Sequence, residues 1–255
     1  MEPFFSILSP YEFVLVLAIA MLAGMVKGMV GFAMPMIFVS GLSTFLPPDW
    51  ALAGLILPTL VTNGMQALRQ GSEAAVRSIR RFRVFLLVGL VCLLVTSQLV
   101  TRIPASIFLL LIAVPVVVFA AMQLLGVRFR LNRASSRTEA AVGAFAGSVG
   151  GMSGVWGPPT VAYLTALNTP KRDQMRIQGV IYGLGAVALA LAHLGSGVLR
   201  AETLPLSLML ILPAVAGMWL GGRWQDRIDQ NMFRKLTLIV LLVAGLNLLR
   251  RALMG

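Results

Sequence analysis

Long apolar blocks alternate with short, mostly basic segments along the whole chain. Ala51–Leu68, Val84–Thr101, Ile107–Leu125, Ile177–Leu194 and Leu204–Gly221 each approach the roughly 20 residues that carry a helix across about 30 Å of hydrocarbon. The pattern predicts transmembrane helices at about 51–68, 84–101, 104–125, 174–194, 204–221 and 232–251. Two further apolar stretches are too long for one crossing. Tyr11–Leu46 runs for 36 residues up to the Pro47-Pro48-Asp49 turn and would make a helix of about 54 Å at ~1.5 Å per residue. Thr138–Asn168 is similarly overlong. Each is interrupted by glycines followed by proline, so two broken segments are expected, 11–46 and 138–168, each able to turn back as a hairpin of shorter helices.

The interruptions belong to an internal repeat. AGMVKGMVGFAMP (Ala23–Pro35) returns 123 residues later as AGSVGGMSGVWGP (Ala146–Pro158), with Gly24/Gly147, Gly28/Gly151, Gly31/Gly154 and Pro35/Pro158 identical. At an offset of 125, Arg102-Ile103 matches Arg227-Ile228 and Phe108 matches Phe233. The expected organisation is an N-terminal repeat over 1–125, a basic linker over 126–137 and a C-terminal repeat over 138–255. Twinned breaks of this kind point to a transport site, because lipid cannot satisfy the backbone groups that a broken helix frees.

Charge placement bears on the path of the broken segments. If each returns to its starting side, about 16 of the 21 basic residues fall on one face, with Arg102, Arg200, Arg250 and Arg251 opposite and Lys27 within the bilayer. If each crosses, the division is only about 12 to 8. The positive-inside rule favours the first arrangement, with both termini outside. The expected fold is therefore an all-α polytopic membrane protein of two inverted repeats, each a broken or re-entrant helix pair plus three transmembrane helices. A plasma (inner) membrane is the expected location. The first apolar block carries Glu2 and no basic residue before Tyr11, so it does not look like a cleaved signal peptide.

Composition narrows the function. Apolar residues make up 58% of the chain and charged residues 12%, about half the charged share of a soluble domain. The net charge of +12 does not indicate nucleic acid, since the arginines lie between apolar blocks. A single cysteine, Cys92, and a single histidine, His193, leave no disulfide framework or multi-histidine metal motif. No cofactor is expected.

The candidate site residues lie at the breaks and on two polar stripes. Thr59, Thr62, Gln66 and Gln70 share a helix face with Asn63 beside them, and Gln178, Tyr182, Gly185 and His193 form the matching stripe. These groups can donate hydrogen bonds to an oxyanion or serve as glue between helices. Lys27 is a cation inside the first break, a functional suspect at membrane depth unless it snorkels to an interface. Arg176 is either a ligand or the marker of a cytoplasmic helix end. Gly28, Gly31 and Pro35, and Gly151, Gly154 and Pro158, supply N–H groups and half-helix starts that attract anions, or glycine surfaces that allow close packing.

These residues resemble the sulfite exporter TauE/SafE family, also called the toluene sulfonate uptake permease family. Gly28, Gly31 and Pro35 stand at its first motif, and Gly151, Gly154, Pro158 and Pro159 at its second. Pro170–Arg176, followed by a helix ending His193-Leu194-Gly195, is similar to its second-half pattern. Leu57-Pro58-Thr59 and Ile181-Tyr182-Gly183 depart from the Gly-Thr-Ser run found in many members. The resemblance implies transport of sulfite, organosulfonates or related organic anions.

The combined expectation is a secondary transporter, an exporter of a small anion working by alternating access, with its site between the two breaks near the bilayer midplane. Its partners are the lipid bilayer and the anion, with a proton or sodium as candidate coupling ion and room for a homo-oligomer. Two rivals stand beside it. Gly151-Met152-Ser153-Gly154 matches the GxSG motif of rhomboid proteases, with His193 as base for Ser153, but the same glycine frame recurs at Gly28–Gly31 with no serine. A passive anion channel differs from a carrier only in lacking a use for inverted repeats.

Overall fold

The computed structural model describes residues 9–97, 105–127, 131, 135–153, 157–195 and 199–254. Among them the ordered elements are helices: α1 (Pro10–Val30), α2 (Met34–Leu42), α3 (Pro48–Leu68), α4 (Ser72–Arg81), α5 (Arg83–Ser97), α6 (Ala105–Leu124), α7 (Ser136–Ser153), α8 (Gly157–Ala166), α9 (Lys171–Gly195), α10 (Leu204–Arg227) and α11 (Gln230–Met254). Within these, Pro10–Val30, Asp49–Leu68, Leu204–Arg227 and Gln230–Met254 are long and apolar enough to cross a membrane. The protein is all-helical and multi-pass. α4, a short helix with Arg77, Arg80 and Arg81 on it, occupies a stretch that reads in sequence only as a basic connection.

The chain forms two compact units, and each draws helices from both halves of the sequence. One comprises Met1–Ala75 with Met175–Asp229, the other Val76–Gln174 with Gln230–Gly255.

In the first unit, α1 opens with a reciprocal cap. The Ser9 hydroxyl accepts from the Glu12 N–H, and the Glu12 carboxylate accepts from the Ser9 N–H at 2.8 Å. The helix ends at Gly31, whose φ of 89° puts it in the left-handed region while its N–H closes on the Lys27 carbonyl. Ala33 also has positive φ, 72°, a conformation that costs a residue with a β-carbon about 1–3 kcal/mol. Pro35 then sits in the first turn of α2, where no N–H is required. The first break is thus a true interruption, and α2 folds back along α1: a β-carbon at Gly41 would lie 2.7 Å from Cγ2 of Ile19.

The directions of the neighbouring helices follow from their contacts. A β-carbon at Gly24 or Gly28 would collide with the carbonyl of Ala214 or Met218, and one at Gly217 or Gly221 with that of Met21 or Met25. Numbers rise together on both sides, so α1 and α10 are parallel and touch backbone to backbone, as small residues permit in membranes. α3 is parallel to α10 as well. Asp49 pairs with Arg200 at one end (3.1 Å) and Arg69 with Asp226 at the other (2.6 Å). α9 runs the opposite way to α3, since Gly179 abuts the Gln66–Ala67 backbone and Gly183 faces the Asn63 β-carbon at 3.8 Å. Val16, Ala20, Met34, Phe38, Leu55, Leu206 and Leu210 interleave as the apolar core.

Pro58 interrupts α3 from within, and α10 compensates. The Ser207 hydroxyl accepts from the Leu57 N–H (3.1 Å) and donates to the Ala53 carbonyl (2.7 Å), the two groups that an undisturbed α-helix pairs directly. A neighbouring serine thereby serves the backbone that proline disturbs.

The second unit repeats the same devices. A β-carbon at Gly143 or Gly147 on α7 would strike the carbonyl of Phe85 or Gly89 on α5. Gly147 corresponds to Gly24 at offset 123, and Gly89 to Ala214 at offset 125, so a close backbone contact in each unit is made by the same pair of repeat positions. α6 and α11 are antiparallel: Gly245 meets Val116 and Val117, and Arg234 donates to Gln123 at 2.5 Å. Glu139, buried at the start of α7, pairs with Arg81.

Candidate functional site

The first break collects Lys27, Asn63 and Gln66 from the polar side chains singled out in the first half of the sequence. Lys27 lies in the last turn of α1 and is 2% exposed. Its ammonium donates to Oδ1 of Asn63 on α3, and no carboxylate is buried among the described residues of this unit. A lysine so enclosed does not snorkel to water; its charge is left for something else to balance.

One turn beyond Asn63, Gln66 reaches into the break. Its Nε2 donates to the carbonyls of Gly31 (3.2 Å) and Met175 (2.8 Å), which fastens α3 both to the interruption and to α9. Its Oε1 is buried and unpartnered. Gln178, on the turn of α9 after Met175, is fully buried, lies against Gly31, and has no partner on either amide atom. The Thr59 hydroxyl is likewise buried and unpartnered, whereas Thr62 donates to its own helix at the Pro58 carbonyl (2.6 Å). Lys27, Gly31, Asn63, Gln66 and Gln178 therefore meet at one place.

Other candidates have different surroundings. Gly28 packs against Met218 and Gly222 of α10, so its missing side chain serves helix approach. Pro35 starts α2. Arg176 turns its guanidinium outward to Gln70 at the exposed end of α3. Tyr182, one turn past Gln178, is buried. The side chain of His193 lies outside the described residues, as do Gly154 and the side chain of Ser153, so the protease constellation has no described geometry. Gly151 lies in the last turn of α7 and Pro158 is buried in the first turn of α8, both in the second unit.

The site is set off-centre along its helices. Asn63 precedes Arg69 by six residues, about 9 Å of helix rise, and Arg69 is half-exposed with Asp226. Two partners of the site, the carbonyl oxygens of Gly31 and Met175, are backbone atoms that no side-chain pattern marks in advance.

The family model described as Sulfite exporter TauE/SafE matches residues 16–248, a span that takes in both breaks and every helix named above in whole or in part. The chain belongs to the sulfite exporter TauE/SafE family. Comparison with curated proteins and with solved structures finds no match. As a TauE/SafE protein it is a membrane transporter. In this TauE/SafE chain the GxxG frame at Gly28–Gly31 has a divided use: Gly28 brings α1 and α10 together, and Gly31 forms the turn that opens the backbone to Gln66 and Gln178.

Proposed function

We propose that this protein is a secondary carrier that exports a small oxyanion of the sulfite or organosulfonate class by alternating access, binding it at Lys27 and the amides around Gly31. The observation that carries the proposal is the enclosed Lys27 ammonium beside amide groups that lack partners. A buried cation without a carboxylate is stabilised by an incoming anion, and the unpartnered Gln178 Nε2 holds a donor ready for its oxygen. The negative-inside potential drives an anion outward with about 2.3 kcal/mol per charge per 100 mV, so export needs no coupling ion. Import would need a proton or sodium.

Inverted repeats are part of the same proposal. Two helices and their repeat partners, α3 with α9 and α6 with α11, run antiparallel, and α1 and α3 both run parallel to α10. Parallel α1 and α3 require the chain between them to return, which supports a re-entrant α1–α2 hairpin. Positive-inside placement puts the Arg69 and Arg176 ends in the cytoplasm of a plasma membrane and both termini outside. The anion site then lies on the cytoplasmic side of the midplane.

Flux of labelled sulfite and small sulfonates in proteoliposomes tests the function. Wild-type protein is expected to show saturable flux stimulated by the same anion on the opposite side. Lys27→Ala is expected to lose at least tenfold in flux, about the effect of ~1.4 kcal/mol, and Arg176→Ala to lose less. Linear, unstimulated flux would indicate a channel. Unchanged flux in Lys27→Ala for every transported anion would remove the site.

A further inference from the structure

The hydrogen bonds around Gly31 fix which atoms are left for a ligand. Gln66 uses Nε2 for two carbonyl oxygens, and a carbonyl only accepts, so this amide has one possible orientation. Its oxygen is the atom that remains, buried without a donor. Gln178 adds a second unpartnered acceptor, Oε1, and one unpartnered donor, Nε2. Among the described residues of the unit Lys27 is the one buried cationic side chain, with one of three ammonium hydrogens used by Asn63. The vacant valences are therefore mixed, one charge and some donors together with at least two acceptors.

We infer that the ligand of this site is a singly charged sulfur oxyanion carrying its own donor hydrogen, as an acid O–H or as a hydroxyl or amine beside a sulfonate. The inference rests on the anion-site reading above and narrows it. An ion that only accepts, such as fully deprotonated sulfite or a plain alkanesulfonate, can bind Lys27 but turns lone pairs towards the oxygens of Gln66 and Gln178. A buried acceptor without a donor is penalised, and two negative charges would exceed the one cation enclosed here. A monoanion with one O–H or N–H places its charge on Lys27, gives its hydrogen to an amide oxygen, and accepts from Gln178 Nε2. Sites that pair a substrate hydroxyl reject analogues lacking it, because their own polar groups are then left alone.

The test is binding to the purified full-length protein in detergent, by calorimetry, of three probes: sulfite at mildly acidic pH, 2-hydroxyethanesulfonate, and propane-1-sulfonate. The last two match in charge and length and differ by hydroxyl against methyl. Propane-1-sulfonate is expected to bind at least tenfold more weakly than the better of the other two. Gln178→Met is expected to weaken that preference, with the Gln66 oxygen left as the remaining acceptor, while leaving the thermal unfolding midpoint unchanged or raised, since it removes a buried amide that bonds to nothing. Equal binding of the matched sulfonates, binding of none of the three probes, or a Gln178→Met protein with an undiminished preference would overturn the inference. Lys27→Met separates the two levels. Loss of all binding in that variant with no preference in wild type leaves the anion site standing and removes only the donor requirement, whereas binding that survives Lys27→Met removes the site itself.

Discussion

The ammonium of Lys27, in the last turn of α1, is held by the side-chain oxygen of Asn63 on α3. The contact joins α1 to α3 beside the first break, and it holds a charge where the described residues of the unit bury no carboxylate. Asn63 is thus a neutral holder: it orients the cation without cancelling it. Asn63→Asp is expected to keep the fold, because a carboxylate there still accepts from Lys27, yet to lower anion flux at least tenfold by neutralising the site. Asn63→Leu is expected to cost about 1–3 kcal/mol by leaving the ammonium without a partner. Thermal unfolding in detergent and flux in proteoliposomes read the two effects separately, and an Asn63→Asp protein with full flux would contradict the charge argument.

Ser207 and Pro58 are coupled across α10 and α3. The serine hydroxyl bridges Leu57 N–H and Ala53 C=O in the turn that precedes Pro58. Ser207→Ala is expected to destabilise by about 1–3 kcal/mol. In a Pro58→Ala background the helix can close its own bond, so the same substitution should cost clearly less. A double-mutant cycle on unfolding midpoints measures the difference; strict additivity would mean that the serine does not compensate for the proline.

Close backbone contacts in both units rest on glycine. Gly24→Ala and Gly147→Ala each drive a β-carbon into a backbone carbonyl, of Ala214 and Gly89 respectively, and backbone cannot step aside as a side chain can. Each is expected to cost about 1–3 kcal/mol or more and to lower the yield of monodisperse protein. Gly64, with nothing within 4 Å, is the control. Gly64→Ala should be neutral or stabilise by up to ~1 kcal/mol through helix propensity.

Topology is open to labelling, because the chain has one cysteine, Cys92. In a Cys92→Ala background, Thr44→Cys and Glu202→Cys are expected to react with a membrane-impermeant maleimide from outside, and Gln70→Cys only from the cytoplasmic face. Thr44 follows the α1–α2 pair and lies near the Asp49–Arg200 end of α3. Ser9→Cys, at the start of α1, is expected to label from outside as well; labelling of it only from the cytoplasmic face while Thr44→Cys labels from outside would mean that the broken segment crosses, and the inverted repeat would fall with it.

Much of the architecture is legible along the chain because membrane insertion is decided by local properties. A helix needs enough consecutive apolar residues, so the blocks at 51–68, 204–221 and 232–251 correspond closely to α3, α10 and α11. A break needs residues that tolerate left-handed backbone or lack an N–H, so Gly31 and Pro35 mark the first interruption. A polar face on α3 was legible too, since Thr59, Thr62, Gln66 and Gln70 recur at helical spacing with Asn63 beside them. What each member does was not. Gln66 serves two backbone carbonyls, Gln70 accepts from Arg176, and Thr62 bonds its own helix, because partners come from whichever helix packs alongside.

The sequence alone determined that this chain is a twice-repeated, glycine-interrupted membrane helical protein with a lysine at its first break, since length, hydropathy and backbone tolerance are properties of a segment by itself. Tertiary structure alone decided that the compact units mix the two halves, that α3 and α9 oppose each other, and that Lys27, Asn63, Gln66 and Gln178 converge on Gly31. Those outcomes depend on which surfaces meet, and between helices of similar apolarity the choice is made by close backbone approach and individual hydrogen bonds.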